Sequence, residues 1–194
     1  QRQQFGLWGT GAPSELEGLG FKPLAEDLAV TETQDAIAVR IEPRRFLVLT
    51  SKEIEQEAKA AASAESWTLA EIRSGRPLIV QATQDQFVPQ MVNFELAGGV
   101  DFGKGCYPGQ EIVARPQYRG TVKRRMYRLR GDALQPGQDL YSDDAPGQAS
   151  GTVVNSAGDE SLAVLQISAV EAGSPIRVQP QAAALEILPL PYAT

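Results

Sequence analysis

One stretch of this sequence combines residue types that can do chemistry. Residues 104–111 read Lys-Gly-Cys-Tyr-Pro-Gly-Gln-Glu and contain Cys106, the single cysteine of the 194-residue chain. Lys104 places a positive charge two residues before the thiol, and Gly105 and Gly109 let the backbone approach a ligand closely. A thiol in this setting is a nucleophile, a redox group or one ligand of a shared metal. The alternative is a small buried hydrophobe, since free cysteines are among the most buried residue types.

The residues after the thiol favour a short helix. Pro108 suits the first helical position, and good helix propensity continues to about residue 115, one residue before Pro116. Gln110 and Glu111 then present an amide and a carboxylate in the first turn. Because helix N-terminal amides and the helix dipole stabilise negative charge, a cysteine just before this helix would favour its thiolate form.

The composition excludes several kinds of site. The chain has no histidine, which removes histidine-based triads and histidine-ligated zinc. One cysteine cannot by itself hold an iron–sulfur cluster or a structural zinc, which need about four ligands, so we expect no intrinsic metal. No apolar run approaches the length of about 18 residues that a membrane span needs. A lone cysteine fits a reducing compartment, so we expect a cytoplasmic protein, or a mitochondrial matrix protein if the source is eukaryotic.

Charge is distributed unevenly along the chain. The formal net charge is −6, yet residues 115–130 contain seven basic residues and no acid, and residues 131–194 contain eight acids and one base. One interpretation is a solvated strand whose charges balance an acidic neighbour. The other is a positive patch for a polyanion next to the thiol, formed by Arg115, Arg119, Lys123 and Arg124.

The elements predicted before the thiol are two strands and two helices, over 36–41, 46–49, 52–64 and 67–74. Ser66 is the expected N-cap of the second helix, and Gly75 is expected to take the left-handed position after its end. Trp67 then lies in the first turn. It either packs in the core or forms a flat wall for an aromatic ligand, because indole stacks well and its N–H anchors a polar edge.

The pattern changes after Gly120. Six short runs with alternating apolar residues follow, separated mostly by proline and glycine turns: 121–130, 140–142, 149–155, 161–167, 176–179 and 184–188. Short strands at this spacing predict a small antiparallel β-barrel. We therefore predict an α+β protein with one domain over 1–119 and a six-stranded barrel domain over 120–194.

The thiol stretch also carries a resemblance to a known family. Lys104-Gly105-Cys106-Tyr107-Pro108-Gly109-Gln110-Glu111 resembles the Lys-Gly-Cys-(Tyr/Phe)-x-Gly-Gln-Glu signature of the YgfZ family. That family comprises folate-binding proteins related to the T-protein, the aminomethyltransferase of the glycine cleavage system. Similarity extends upstream to residues 87–99 and downstream to residues 113–124 and 187–192.

The resemblance implies a fold, a ligand and a function. It implies the C-terminal part of a T-protein-like folate-binding domain, followed by the barrel. Tetrahydrofolate or another folate is the implied cofactor, contacted by Trp67. The implied role is that of an accessory factor for iron–sulfur enzymes, including those of tRNA modification, with Cys106 as the functional thiol. Lys104, Gly105, Tyr107, Gly109, Gln110 and Glu111 frame it.

Alternatives to this role stay open at this point. One is an aminomethyltransferase that uses tetrahydrofolate, although the sequence offers little sign of that catalytic constellation. Another is an RNA-binding module that contacts tRNA through the basic run at 115–130. Chains of the resembled family are longer, so we also expect that an N-terminal portion, which completes the folate-binding wall, is missing from residues 1–119.

Overall fold

The computed structural model describes residues 3–51, 63–119, 122–131 and 134–193, with only the backbone of 115–119. The chain forms two compact units, Gln1–Ala61 and Ala62–Thr194. Both contain antiparallel sheet together with helices, which confirms the α+β class. The helix predicted over 52–64 lies almost wholly outside the described residues. No helix in the described part has both the length and the hydropathy that a membrane span requires.

The first unit is a four-stranded antiparallel sheet with one helix. Its elements are β1 (Gln3–Trp8), α1 (Ala12–Gly18), β2 (Val30–Glu32), β3 (Ala36–Glu42) and β4 (Arg45–Thr50). The strands are arranged in the order β1-β4-β3-β2, and the two strands predicted here, 36–41 and 46–49, are confirmed as β3 and β4. Alternate side chains of a strand point to one face, and this face packs against α1 around Leu16, Phe46 and Val48.

The second unit contains the remaining helices and a six-stranded sheet. The helices are α2 (Ala64–Arg73), α3 (Gln110–Arg119) and α4 (Ile167–Glu171), with a 3₁₀ turn at Pro89–Val92 before α3. The strands are β5 (Arg124–Arg130), β6 (Asp139–Ser142), β7 (Ala149–Ala157), β8 (Glu160–Gln166), β9 (Ile176–Arg177) and β10 (Glu186–Leu188). Each of the six predicted strands corresponds to one of these.

The six strands form a curled half-barrel in the order β10-β5-β8-β7-β6-β9, with antiparallel pairing throughout. The backbone N–H of Leu185, just before β10, donates to the carbonyl of Ile176 in β9 over 2.8 Å. This bond links the segments of the two outer strands at one point. The prediction of six antiparallel strands is confirmed, and the sheet they form is a half-barrel.

Apolar clusters cover both faces of this sheet. Ala163 and Leu165 of β8 pack inside the curl, whereas Leu162 and Val164 pack on the outer face with α2 and the 3₁₀ turn. Because β8 is central and buried on both faces, its sequence reads as a continuous apolar run. The outer face therefore positions the helix that carries Trp67 and the turn that precedes the thiol.

Two predicted boundaries are wrong. The second helix begins at Ala64 because Ser63, not Ser66, is its N-cap: the Ser63 hydroxyl accepts from the backbone N–H of Ser66 over 3.3 Å. The helix after the thiol covers 110–119, not 108–115, and continues through Pro116. A helix-interior proline loses a backbone hydrogen bond, and nothing in the described residues explains this continuation.

The domain boundary predicted at 119/120 stays a prediction, because Gly120 lies outside the described residues. The T-protein-like fold of residues 1–119 also stays a prediction. Within the second compact unit, Ala62–Thr194, α2 packs on β7 and β8.

Candidate functional site

The thiol lies in an exposed loop, residues 102–109, which we call the thiol loop. The side chain of Cys106 is free and exposed, so the alternative of a buried hydrophobe is wrong. The ammonium of Lys104 lies 4.1 Å from the centroid of the Tyr107 ring, a cation–π contact. Lys104 and Tyr107 therefore form a small frame on either side of the thiol.

A polar contact closes the loop onto α3. The Gln110 side-chain oxygen accepts from the backbone N–H of Tyr107 over 3.3 Å, and the Tyr107 carbonyl accepts from the N–H of Gln110 over 3.2 Å. Gly109 between them has φ +83°, a left-handed conformation that favours glycine. Cys106 thus lies four residues before Gln110, the first residue of α3. The predicted start at Pro108 would have placed it two residues before the helix. Glu111 is exposed in the first turn.

A group of buried polar side chains holds α3 to the sheet. We call Gln90, Asn93, Glu95 and Arg125 the polar bracket. Gln90 is 1% exposed, and its amide nitrogen donates to the carbonyl of Val113 in α3. Arg125 of β5 donates to the Gln90 carbonyl over 3.0 Å and pairs with Glu95. Because buried polar groups are costly unless they are paired, these contacts hold α3 against the 3₁₀ turn and β5.

Asn93 fixes the other end of the bracket. It is fully buried, with φ +55°. Its amide nitrogen donates to the carbonyl of Met126 over 2.7 Å, and its amide oxygen accepts from the N–H of Met126 over 3.3 Å. The side chain thereby satisfies both backbone groups of one β5 residue. The sequence interpretation covered Gln90 and Asn93 only within the range 87–99 of the resemblance and missed this role.

Trp67 is half-buried on α2. The helix is anchored by Ile72, which is fully buried, and by Arg73, whose guanidinium donates twice to the buried carboxylate of Glu160 over 2.9 and 3.0 Å. The half-buried indole offers a folate one face on which to stack, which fits the contact that the resemblance implies.

Three arginines of the basic run are neutralised within the protein. Arg125 pairs with Glu95, and Arg128 approaches the carboxylate of Glu160 to 3.7 Å. Arg130 pairs with Glu186 at 2.9 Å and with Asp159 at 3.5 Å. For these three, the interpretation as a strand balanced by acidic neighbours is confirmed.

The rest of the run differs. Lys123 and Arg124 have no ion-pair partner among the described residues. The structure does not describe the side chains of Arg115 and Arg119. Lys123 is exposed and Arg124 half-buried. Together with Gln166 and Ser168 they line an open cavity of about 470 Å³. Two of the four residues of the predicted patch, Lys123 and Arg124, therefore lie at one cavity.

Metal-ligating residues are dispersed. The described chain shows no group of three or more cysteine or acidic side chains that could hold an ion. The candidate groups are therefore an exposed thiol on a framed loop, the polar bracket, a half-buried indole on α2, and one basic cavity. Each belongs to the second unit.

No family model matches the chain. Curated relatives do, under the name tRNA-modifying protein YgfZ. The protein from Cronobacter sakazakii is 35% identical over 167 residues, which cover 77% of this chain and 50% of the relative. The protein from Enterobacter sp. is 36% identical over 139 residues, and the match covers 68% of this chain and 43% of the relative. The protein from Klebsiella pneumoniae is 34% identical over 164 residues, and the match covers 77% of this chain and 50% of the relative.

The chain spans about half the length of the curated relatives it matches.

Proposed function

Because this chain belongs to the YgfZ family, we propose that it acts in tRNA modification and that Cys106 is its functional thiol. The observation that carries the proposal is the exposure of Cys106 on a framed loop. A structural cysteine of this kind would pack in the core. A thiol that must meet a partner or a substrate has to be reachable, as this one is.

The surroundings of the thiol limit its chemistry. No described side chain donates a hydrogen bond to Cys106 or accepts one from it, and the chain has no histidine to act as a base. A nucleophile of the triad type needs a base within hydrogen-bond reach. We therefore favour a role as a sulfur ligand, in which the thiol loses its proton to solvent as its sulfur binds a metal held by a partner.

The finer proposal is an accessory factor for iron–sulfur enzymes, including those that modify tRNA. A single exposed cysteine can supply one ligand of a cluster whose other ligands belong to a partner. Support comes from the signature at 104–111. The partners would be iron–sulfur proteins or their assembly machinery.

Folate is proposed as a ligand on the same resemblance, with Trp67 as one wall. Calorimetric titration of tetrahydrofolate into the chain and into Trp67→Phe tests this contact. Equal affinities, or no heat in either, would exclude Trp67 as a folate contact in this chain.

The main proposal is tested by rescue. We would express the chain in a bacterial strain that lacks its YgfZ protein and measure modified nucleosides in bulk tRNA by mass spectrometry. We expect the wild type to restore them, and Cys106→Ala and Cys106→Ser to fail although they accumulate normally. Gln84→Ala, an exposed polar change, serves as the control. Full rescue by Cys106→Ser, or none by the wild type, would contradict the proposal.

A further inference from the structure

The seven basic residues between 115 and 130 fall into classes once the structure is known. Arg125, Arg128 and Arg130 are matched by carboxylates inside the protein, and a matched pair offers little net attraction to a distant anion. Lys123 and Arg124 are the two whose described side chains lack such a partner. The sequence alone could not separate these classes.

The cavity around Lys123 and Arg124 has the groups that a phosphate needs. A guanidinium presents a planar fork that matches two phosphate oxygens, and an ammonium adds a compact charge with three donors. Gln166, which lies opposite Arg124 in the β5–β8 ladder, and Ser168 add neutral donors. Among the described residues that line the cavity, none is acidic.

The size and openness of the cavity favour part of a large molecule. Its volume of about 470 Å³ lies within the range of about 300–1,000 Å³ typical of pockets for whole small molecules, so the cavity has room for more than one phosphate group. It opens to solvent beside the exposed Lys123, so a continuous backbone can pass through it. The chain as a whole carries a charge of −6, so a polyanion is held only where positive charge is locally unmatched.

We propose that this cavity is a phosphodiester site that holds the backbone of tRNA. The inference rests on the proposed function, from which the choice of RNA follows. Lys123 and Arg124 contact the phosphates, and the paired arginines do not. Phosphate contacts fix position and carry no sequence information, so the site holds the RNA in place and leaves recognition to other surfaces.

Salt dependence distinguishes this site from a general basic surface. Each neutralised phosphate lowers the logarithmic salt slope of binding by about 0.9, so two contacts give a slope near −1.8 and seven give about −6. The same relation predicts about a tenfold loss of affinity between 50 and 200 mM salt for two contacts. A shallow slope is therefore the signature of the Lys123–Arg124 site.

The experiment is fluorescence anisotropy with an unmodified tRNA transcript and the intact chain, over 50 to 200 mM KCl. We expect the wild type to bind with the shallow slope. Lys123→Ala and Arg124→Ala should each weaken binding, and the double variant should lose about tenfold at 50 mM salt and most of its salt dependence. Arg130→Ala, which removes the same charge from a paired arginine, should change affinity less than about twofold.

The controls decide between outcomes. Thermal unfolding of each variant should match the wild type, since Lys123 is exposed and Arg124 half-buried. Swapping the pair, Lys123→Arg with Arg124→Lys, should retain binding. Equal losses in Arg130→Ala and Lys123→Ala, a slope near −6, or no binding at 50 mM salt would each overturn the phosphate site. Strong competition by millimolar inorganic phosphate would assign the cavity to a small anion instead of RNA.

Failure of this inference and failure of the proposed function are separable. Cys106→Ala should bind the transcript as the wild type does while failing to restore tRNA modification. If rescue depends on Cys106 and the double variant still binds normally, the phosphate site is wrong and the thiol role stands. If Lys123 and Arg124 control binding but Cys106→Ser restores modification fully, the thiol role is wrong and the phosphate site stands.

Discussion

The polar bracket and the thiol loop are close in sequence and opposite in construction. In the bracket, Gln90 and Asn93 are almost fully buried, and their amides bond to backbone groups of α3 and β5. In the loop, Cys106 and most of its neighbours are exposed, and glycines set the backbone. Hydrogen bonds to α3 and β5 fix the bracket in place, whereas the described part of the loop has few contacts within the second unit.

This difference indicates how the protein divides stability from function. A buried polar group is costly unless it is paired, so the side-chain hydrogen bonds of Gln90 and Asn93 hold one arrangement of α3 and β5. An exposed loop contributes little to folding and is free to meet a partner. Variants in the bracket should therefore change the free energy of unfolding, and variants in the loop should change activity alone.

The largest effect is expected from Asn93. Asn93→Ala removes both side-chain bonds to Met126 and leaves buried backbone groups unpaired, which should lower the free energy of unfolding by about 2–4 kcal/mol. Urea titration followed by circular dichroism measures this. Because Asn93 has φ +55°, Asn93→Gly removes the same bonds without the left-handed strain, and it should be the milder variant. If Asn93→Ala lowers the free energy of unfolding less than Gln84→Ala does, the contrast between the bracket and the loop is wrong.

The next effect concerns the anchor of α2. Glu160→Gln keeps the size of the side chain but removes the charge that Arg73 and Arg128 face. We expect a loss of about 1.5–3 kcal/mol, the usual range for hydrogen bonds to charged groups. Glu186→Gln, whose carboxylate is exposed beside Arg130, should cost less than about 1 kcal/mol. Equal losses in urea titration would show that burial of Glu160 does not matter.

A smaller, pH-dependent effect is expected from Tyr192, which donates to the carbonyl of Gly75 over 2.6 Å. Burial raises the pKa of Tyr192 above its ordinary value of 10.0, the charge of Glu95 raises it further, and Asn93 and Arg125 act in the opposite direction. The unfolded chain therefore loses the phenolic proton first. Stability from this group is complete below about pH 10 and falls as pH rises through the folded pKa.

Tyr192→Phe should flatten that alkaline decline. Unfolding would be measured between pH 8 and 11 on the wild type and the variant. Tyr127 has a pKa raised by burial and by Glu171, against a lowering from Arg125, so Tyr127→Phe should remove a separate part of the decline. A variant whose alkaline slope equals that of the wild type would show that its tyrosine does not take part.

Much of the second unit follows from its sequence, because short alternating runs between turn residues predict strands whatever else surrounds them. The bracket does not follow, since its members are polar residues that look exposed until β5 and α3 are placed beside them. The basic run shows the same limit. Arg125 and Lys123 look alike in sequence, and only the position of Glu95 separates a paired charge from a free one. The N-cap error at Ser63 and Ser66 is a local ambiguity between two equivalent hydroxyls.

The smallest effect on stability is expected at the thiol itself. Cys106→Ala should leave the free energy of unfolding within about 0.5 kcal/mol of the wild type, because surface substitutions without a partner have little effect. The exposed thiol should also react with a maleimide in the native protein to completion, at a rate unchanged by small amounts of urea. A thiol that needed opening of the structure would react faster as urea rises. Labelling that speeds up with urea would contradict this, as would a loss of unfolding free energy in Cys106→Ala comparable to that in Asn93→Ala. Either result would show that Cys106 is a structural residue like those of the bracket, and not a reachable thiol outside the stable part of the unit.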